Sequence, residues 1–408
     1  MKRLLFITGG IHYPPRSGYG FRVYNLIKSY AKLFEVVLIA DSFNAPDEDE
    51  LRRQLDSLTL EYVFVPKSKL RMPDSLKEFL HPIKPRQVTS MTTRQLKSTI
   101  NDVLHKYPAF DFIHVQRLRM AESVMHLLKR KTGNTRFILD LDDWESKTRF
   151  REVETKNKGG AIKQLRRLIE PTRLRAYENR ILPLFDYVYV CSEVDRAGLS
   201  RELKLNNFYT VPNGVDIPAT TERNLFINQN SENKIILYIG SLGYGPNIDA
   251  IEYFVEHIFP LILQKRPEAK FWIAGNMDGA PRHLFDLNKH PCIRVLGFVE
   301  NLRDLYEKAS VFIVPLRQGG GTRIKILEAS TYYKPIVSTS VGCEGLEFQH
   351  GRNIMIADDP EGFSDACCEL FDDPEKGRLL GQAARKLVEE KYLWMQLENR
   401  IRRILFSS

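Results

Sequence analysis

Between residues 311 and 346 the chain reads VFIVPLRQGGGTRIKILEASTYYKPIVSTSVGCEGL, and the residue types gathered here suit a phosphorylated ligand. A short apolar run ends at Pro315. Gly319, Gly320 and Gly321 follow, and then Thr322, a residue type that caps helices. Glycine lets backbone N–H groups approach a phosphate closely, and a helix start adds free N–H groups and a favourable dipole. Arg323 and Lys325 fall in the expected first turn and supply positive charge for a diphosphate. Basic residues at a helix start oppose the dipole, so a bound anion accounts for their placement. Lys325 and Glu328 are i, i+3 neighbours on one face. Glu328 lies six residues beyond Thr322, roughly 9 Å at the helical rise, which is about the span from a diphosphate to a ribose. A carboxylate there can accept hydrogen bonds from both ribose hydroxyls. The spacing fits a nucleoside diphosphate laid along a helix start. The alternative reading is a glycine-rich turn before a capped helix with a Lys–Glu pair.

These residues need a scaffold that brings loops and helix starts to one edge. The sequence supplies it twice. In the first half, KRLLFITGG, EVVLIA, EYVFV, DFIHV, RFILDLD, DYVYVCS and NFYTVPNG read as strands. Helical stretches separate them, among them FRVYNLIKSYAKLF, with Phe21, Tyr24, Leu26, Ile27 and Tyr30 on broadly one side, and segments near 92–106 and 119–131. Ser192 to Asp195 form a capping box before a further helix. In the second half, KIILYIG, KFWIAG, CIRVLG, VFIVPL and PIVST are strands. Pro246 suits the first turn of a helix running to about 265, and the last thirty or so residues are helical. Such alternation implies parallel sheets covered by helices, with ligands at the carboxyl ends of the strands. The polar, patternless residues 216–232 read as an interdomain linker. A first domain is therefore expected over 1–215 and a second over 216–390, with a terminal helix at about 391–408 packing back on the first.

Composition narrows the classes. The chain has 408 residues, 43% hydrophobic and 27% charged, an ordinary balance for a folded protein. The five cysteines form no CxxC pair, which points to buried free thiols rather than a zinc site or a secreted disulfide framework. No apolar run reaches the length of a membrane span, and the N-terminal apolar stretch is short for a signal peptide. A cytoplasmic protein is expected. The net charge of +9 is compatible with nucleic acid, phosphorylated substrates or an anionic membrane surface. Two segments concentrate it: the proline-punctuated 67–88 and the helical 154–182, read either as solvated helix faces or as surfaces for anionic lipid or a phosphorylated acceptor. No zinc or helix-turn-helix signature accompanies the charge, which argues against nucleic acid.

The segment 311–346 resembles the donor-binding region of the retaining GT-B enzymes of glycosyltransferase family 4, in the branch with a PLxxGGGTRxKxLEA signature. YIGSLGYGPNIDAI, IRVLGFV and VPNGVD fit the same family, as do GGIHYPPRSGYGFRVYNL, HVQRLRMA and VCSEVDRAGL in the first half. The resemblance implies an α/β fold of two Rossmann-like doubly wound domains facing a central cleft. It implies that Gly319, Gly320, Gly321, Thr322, Arg323 and Lys325 hold the donor diphosphate, with Gly18 approaching it from the first domain. Glu328 is similar to the second acid of the family's E-x7-E motif and would hold the ribose. Gly297, Phe298 and Val299 would meet the base through backbone groups. The first acid of that motif would stand at 320, where this chain has Gly320, and GSLGYGPN lacks the Arg and Lys that many members carry.

Many members place a histidine near the reacting sugar, and the closest match to that place is Gln116, with His114 two residues earlier. A glutamine cannot act as a general base. It is compatible with front-face displacement, in which the leaving phosphate takes the acceptor proton. His114 alone reads as a core histidine. Arg117, Asp142 and Asp143 are acceptor candidates. For the two aspartates helix capping is the alternative, and the DLD pattern at 140–142 is too common to indicate a metal. The expected function is sugar transfer from a UDP- or GDP-sugar to a glycan or lipid-linked acceptor, in cell-surface polysaccharide or glycoconjugate synthesis. No permanently bound cofactor, metal or nucleic acid is expected, and the protein would sit in the cytoplasm, peripheral to the inner membrane leaflet. The alternatives are a nucleotide-sugar epimerase on the same fold or a basic nucleic-acid-binding protein.

Overall fold

The computed structural model describes residues 2–15, 17–41, 48–65, 84–86, 88, 94–130, 133–155, 161–218 and 234–406. Most of the basic segment 67–88 and of the linker expected over 216–232 lies outside these residues. The chain divides into two compact units, Met1–Pro212 with Glu398–Ser408, and Asn213–Leu397.

The first unit is built on β1 (Arg3–Thr8), β2 (Glu35–Asp41), β3 (Glu61–Val65), β4 (Phe112–Gln116), β5 (Arg136–Asp142), β6 (Tyr187–Val190) and β7 (Phe208–Thr210). They form one parallel sheet in the order β3-β2-β1-β4-β5-β6-β7. Leu4, Leu5, Phe6 and Ile7 have no exposed surface, as expected of a parallel strand covered on both faces. Strand order reverses between β1 and β4, which opens a crevice at their carboxyl ends. The helix Gly18–Ala31 follows β1, and the Ser17 hydroxyl caps it by accepting from the Gly20 N–H. Its buried side includes Val23, Leu26, Ile27 and Tyr30, but Phe21 is 42% exposed and Arg22 is fully buried. The expected apolar face is thus rotated, because Arg22 has a carboxylate to meet inside. The capping box at 192–195 is present, with Ser192 Oγ accepting from the Asp195 N–H at 3.0 Å.

The second unit carries β8 (Ile235–Ile239), β9 (Lys270–Ala274), β10 (Ile293–Gly297), β11 (Val311–Val314), β12 (Ile336–Ser338) and β13 (Met355–Ile356). Their order is β10-β9-β8-β11-β12-β13. Here the reversal falls between β8 and β11. The two-residue β13 is absent from the sequence reading, being too short to show a pattern. The helix opened by Gly245 and Pro246 runs to Tyr253, passes through a wider π-turn at Phe254–Ile258 and resumes to Lys265. All five cysteines are free, four of them buried and Cys292 half-buried. Among the described residues no helix is long and apolar enough to cross a membrane.

Glycines let the loops after β8 and β9 lie against each other. At Gly275, with φ +146°, a Cβ would stand 1.8 Å from the Gly240 carbonyl oxygen. Gly351, with φ +71°, has nothing within 4 Å. Gly351→Ala should therefore cost only left-handed strain, about 1 kcal/mol, and Gly275→Ala distinctly more, about 3 kcal/mol, because backbone must move. Urea denaturation of the two variants checks the order.

Candidate functional site

In the second unit, the residues singled out in the sequence meet at the reversal between β8 and β11. Gly319 and Gly321 take positive φ values of +124° and +71°, a conformation that glycine adopts without strain. The turn wraps a guanidinium: Arg323 Nη1 donates to the carbonyls of Gly320 and Gly321, the second at 2.5 Å. Arg323 is the residue before the helix Ile324–Thr331, not a member of its first turn. Thr322 does not cap that helix, because its hydroxyl accepts from Asn213 Nδ2 at 3.0 Å. This ties VPNGVD to the glycine turn.

Lys325 reaches across the reversal. Its Nζ donates to Tyr238 Oη on β8 at 2.9 Å and to Asn247 Oδ1, on the helix after β8, at 3.0 Å. Tyr238 Oη donates to the same amide oxygen at 2.8 Å. The ammonium also lies 4.2 Å from the centre of the Tyr238 ring. Gly240 closes the nest, since a Cβ there would stand 2.8 Å from Nζ and 2.9 Å from Asn247 Nδ2. Burial, helped by the Arg323 charge, pulls the Lys325 pKa down to about 7, and Glu328 opposes the shift. Glu328 is half-buried and accepts from Tyr306 Oη at 3.1 Å. Burial raises its pKa against the pull of Tyr306 and Lys325. Above the turn, Arg317 grips Asp249 with two hydrogen bonds, at 2.6 and 3.2 Å. At the end of β10, Gly297 turns with φ +71°, leaving Phe298 65% exposed while Val299 packs on the core.

The first unit concentrates charge at its own reversal, but neutralises it. Arg22 donates to both carboxylate oxygens of Asp140, at 2.6 and 2.7 Å, with neither side chain exposed. Gln116 Nε2 donates to Asp140 Oδ2 at 2.8 Å. Its Oε1 takes the His114 Nε2–H at 3.1 Å, so Nδ1 accepts from Tyr30 Oη at 3.0 Å. Burial lowers the His114 pKa to about 4, which keeps the ring neutral. Burial alone would raise the Asp140 pKa, but Arg22 outweighs it and holds the carboxyl below its ordinary range. Arg117 spans Asp142 and Asp143, at 2.5 Å each. Arg117 and Asp142 both sit in left-handed backbone, at φ +73° and +66°, a conformation that persists in non-glycine residues only when surrounding contacts enforce it.

The site residues expected from sequence therefore fall into two groups. In the second unit the glycine turn, Arg323, Lys325 and Glu328 gather at one helix start, with Gly297 to Val299 at the end of β10 and in the loop after it. In the first unit Gly18 is exposed at a helix start, and Arg117, Asp142 and Asp143 form one ion-paired cluster. Gln116 and His114 are fully buried with their polar atoms engaged. Neither faces open space, because Arg22 and Asp140 draw Gln116 inward. Both aspartates pair with Arg117 just before the helix Glu145–Thr155. Tyr238 and Asn247 escaped the sequence reading. Tyr238 looks like one more core aromatic in IILYI, and Asn247 like a helix-start residue after Pro246.

Residues 233–373 match a family model described as glycosyl transferases group 1. Over 131 residues the chain is 30% identical to an uncharacterised 44.6 kDa protein in the cps region of Klebsiella pneumoniae, covering 30% of this chain and 34% of that protein. Over 160 residues it is 27% identical to a GDP-mannose-dependent monoacylated alpha-(1-6)-phosphatidylinositol monomannoside mannosyltransferase of Corynebacterium glutamicum, covering 36% and 42%. These matches thus span less than half the length of either relative. Among solved structures, sucrose-phosphate synthase from Thermosynechococcus elongatus superposes with a TM-score of 0.70 at 18% identity, covering 100% of both chains. The Anabaena Alr3699/HepE protein in complex with UDP gives 0.66 at 14%, again over 100% of both. The likeness is one of fold, two Rossmann-like units of the GT-B type.

The Arg22–Asp140 pair should behave as a buried charge pair. Asp140→Ala replaces two short hydrogen bonds on a buried guanidinium with its longer pair to Asp142, at 3.7 Å, and should cost about 3–5 kcal/mol. The double variant Arg22→Met/Asp140→Leu should cost less than that single change, as read from urea midpoints.

Proposed function

We propose that the protein is a glycosyltransferase whose second unit binds a nucleoside diphosphate sugar. The diphosphate lies on the Gly319–Lys325 turn and the ribose on Glu328. The loop Gly297–Val299 meets the base. The sugar passes, with retained configuration, to a glycan or lipid-linked acceptor in cell-surface polysaccharide or glycoconjugate synthesis. One observation carries this reading. A cation and a carboxylate, Lys325 and Glu328, share the helix start at the strand-order reversal of the unit that matches the glycosyl transferase family model. Open α/β sheets bind ligands at that position.

The chemistry follows from the groups present. The bond from the anomeric carbon to the diphosphate oxygen breaks, and a bond from that carbon to the acceptor oxygen forms. Lys325 and the N–H groups of the helix start stabilise charge growing on the leaving diphosphate. The acceptor proton passes to an oxygen of that phosphate. The buried, engaged state of His114 and Gln116 supports this route over a protein base. Arg117, Asp142 and Asp143 are assigned to the acceptor. The GDP-mannose named for the Corynebacterium relative and the UDP bound in the Anabaena structure support both bases as candidates. The cps-region relative supports a polysaccharide or glycoconjugate product.

Purified protein should bind UDP or GDP in calorimetry. Glu328→Ala should weaken that binding by about 1–3 kcal/mol, the scale of hydrogen bonds to a charged group, while leaving inorganic diphosphate binding nearly unchanged. Equal loss for both ligands would remove the ribose assignment. Lack of binding to either nucleotide would remove the proposal. A panel of nucleotide sugars, scored by nucleoside diphosphate release, then fixes base and sugar together.

A further inference from the structure

We propose that Tyr238 and Asn247 are positioning residues that hold the Lys325 ammonium through neutral oxygens alone, so that the donor diphosphate is bound together with a proton. The inference rests on the donor site proposed above and adds a property of that site.

Lys325 Nζ has two hydrogen-bond partners, the Tyr238 hydroxyl at 2.9 Å and the Asn247 amide oxygen at 3.0 Å, and neither is a carboxylate. Both partners are fixed from elsewhere. Tyr238 Oη gives its own proton to Asn247 Oδ1 at 2.8 Å, and Asn247 Nδ2 donates to the Ser241 carbonyl at 2.8 Å. The phenol cannot supply negative charge, because burial pushes its proton affinity far up. The Tyr238 ring face and Gly240 lie close against Nζ, and Lys325 is half-buried.

The charged groups around Lys325 come from each element packed on it. Its own helix start brings Arg323, which repels the ammonium, and Glu328, which attracts it. Glu328 is itself pushed toward its neutral form by burial and shares its carboxylate with Tyr306. The strand β8 and the helix Gly245–Tyr253 contribute only the neutral Tyr238 and Asn247. A desolvated ammonium without a counter-charge loses its proton readily, and the Lys325 pKa near 7 agrees. A diphosphate supplies the missing negative charge.

The sign follows. The free site holds Lys325 mostly protonated below pH 7 and mostly neutral at pH 8. The bound anion raises its pKa, so binding takes up a proton at pH 8 and almost none at pH 6. Affinity should fall as pH rises through the pKa of the free site, approaching tenfold per pH unit beyond it.

The test is calorimetric titration with UDP and with GDP at pH 8, in buffers of different ionisation enthalpy. The intact protein should take up close to one proton per nucleotide at pH 8. Lys325→Met should abolish the uptake and bind at least tenfold more weakly. Asn247→Asp places a carboxylate beside Nζ and should keep it protonated in the free site, so uptake at pH 8 should fall toward zero while binding persists. Tyr238→Phe keeps the ring and removes one oxygen partner, and should move the pH at which uptake begins. Circular dichroism shows whether each variant folds. Nucleotide binding without proton uptake in the intact protein, or the same uptake in Lys325→Met, overturns this inference and leaves the donor site standing. No binding of either nucleotide overturns both.

Discussion

A cation held by neutral oxygens at the junction of β8 and β11 sets the requirements for everything around it in the second unit. Burying an ammonium without a counter-charge costs several kcal/mol unless oxygens replace its water. Lys325 meets this with Tyr238 and Asn247. Tyr238 must then stand near the carboxyl end of β8, and Gly240 must lack a side chain. Asn247 must follow Pro246 at the opening of its helix, where its amide can point back to Ser241. The Arg317–Asp249 pair joins the same two chain segments from the exposed side. Strand order explains why this happens here. Only at the reversal do the connections after two neighbouring strands leave in opposite directions and open a crevice between them.

The first unit has the same reversal and the opposite electrostatics. Its buried charges are matched before any ligand arrives. Asp140 collects two bonds from Arg22 and one from Gln116, and Arg117 is shared by Asp142 and Asp143. Such matched networks add little net stability over an apolar core, but they are costly to break. What this one achieves is geometric. It holds Arg117 and Asp142 in left-handed backbone, which non-glycine residues rarely adopt. Strain kept in place by a buried network marks a rim whose shape is fixed in advance.

The alternation of apolar runs and helical segments made twelve of the thirteen strands among the described residues legible, because a parallel strand buried on both faces is a continuous apolar run. β13 has two residues and no pattern to read. The glycine turn and the Lys325–Glu328 spacing were legible because both are local in sequence. Partners distant in sequence were not. Nothing in FRVYNL says that Arg22 turns inward to Asp140, 118 residues away. Nothing in IILYIG says that the hydroxyl of Tyr238 faces a lysine 87 residues on. Thr322 shows the same limit, since its type predicts a cap and its neighbour Asn213 claims the hydroxyl instead.

The helix start at 324 is set apart by its charges. Its helix is eight residues long and has no acidic residue in its first turn, so this end carries positive potential from its N–H groups, with Arg323 and Lys325 adding to it. The protein limits that potential in two ways. Arg323 is turned onto the carbonyls of Gly320 and Gly321. Lys325 and Glu328 are each drawn toward their neutral forms by burial. A structure that only needed a stable helix would place an acid in the first turn and dispense with both measures. Arg323 just before the helix, and Lys325 in its first turn with its charge drawn down by burial, suit the donor diphosphate site proposed above.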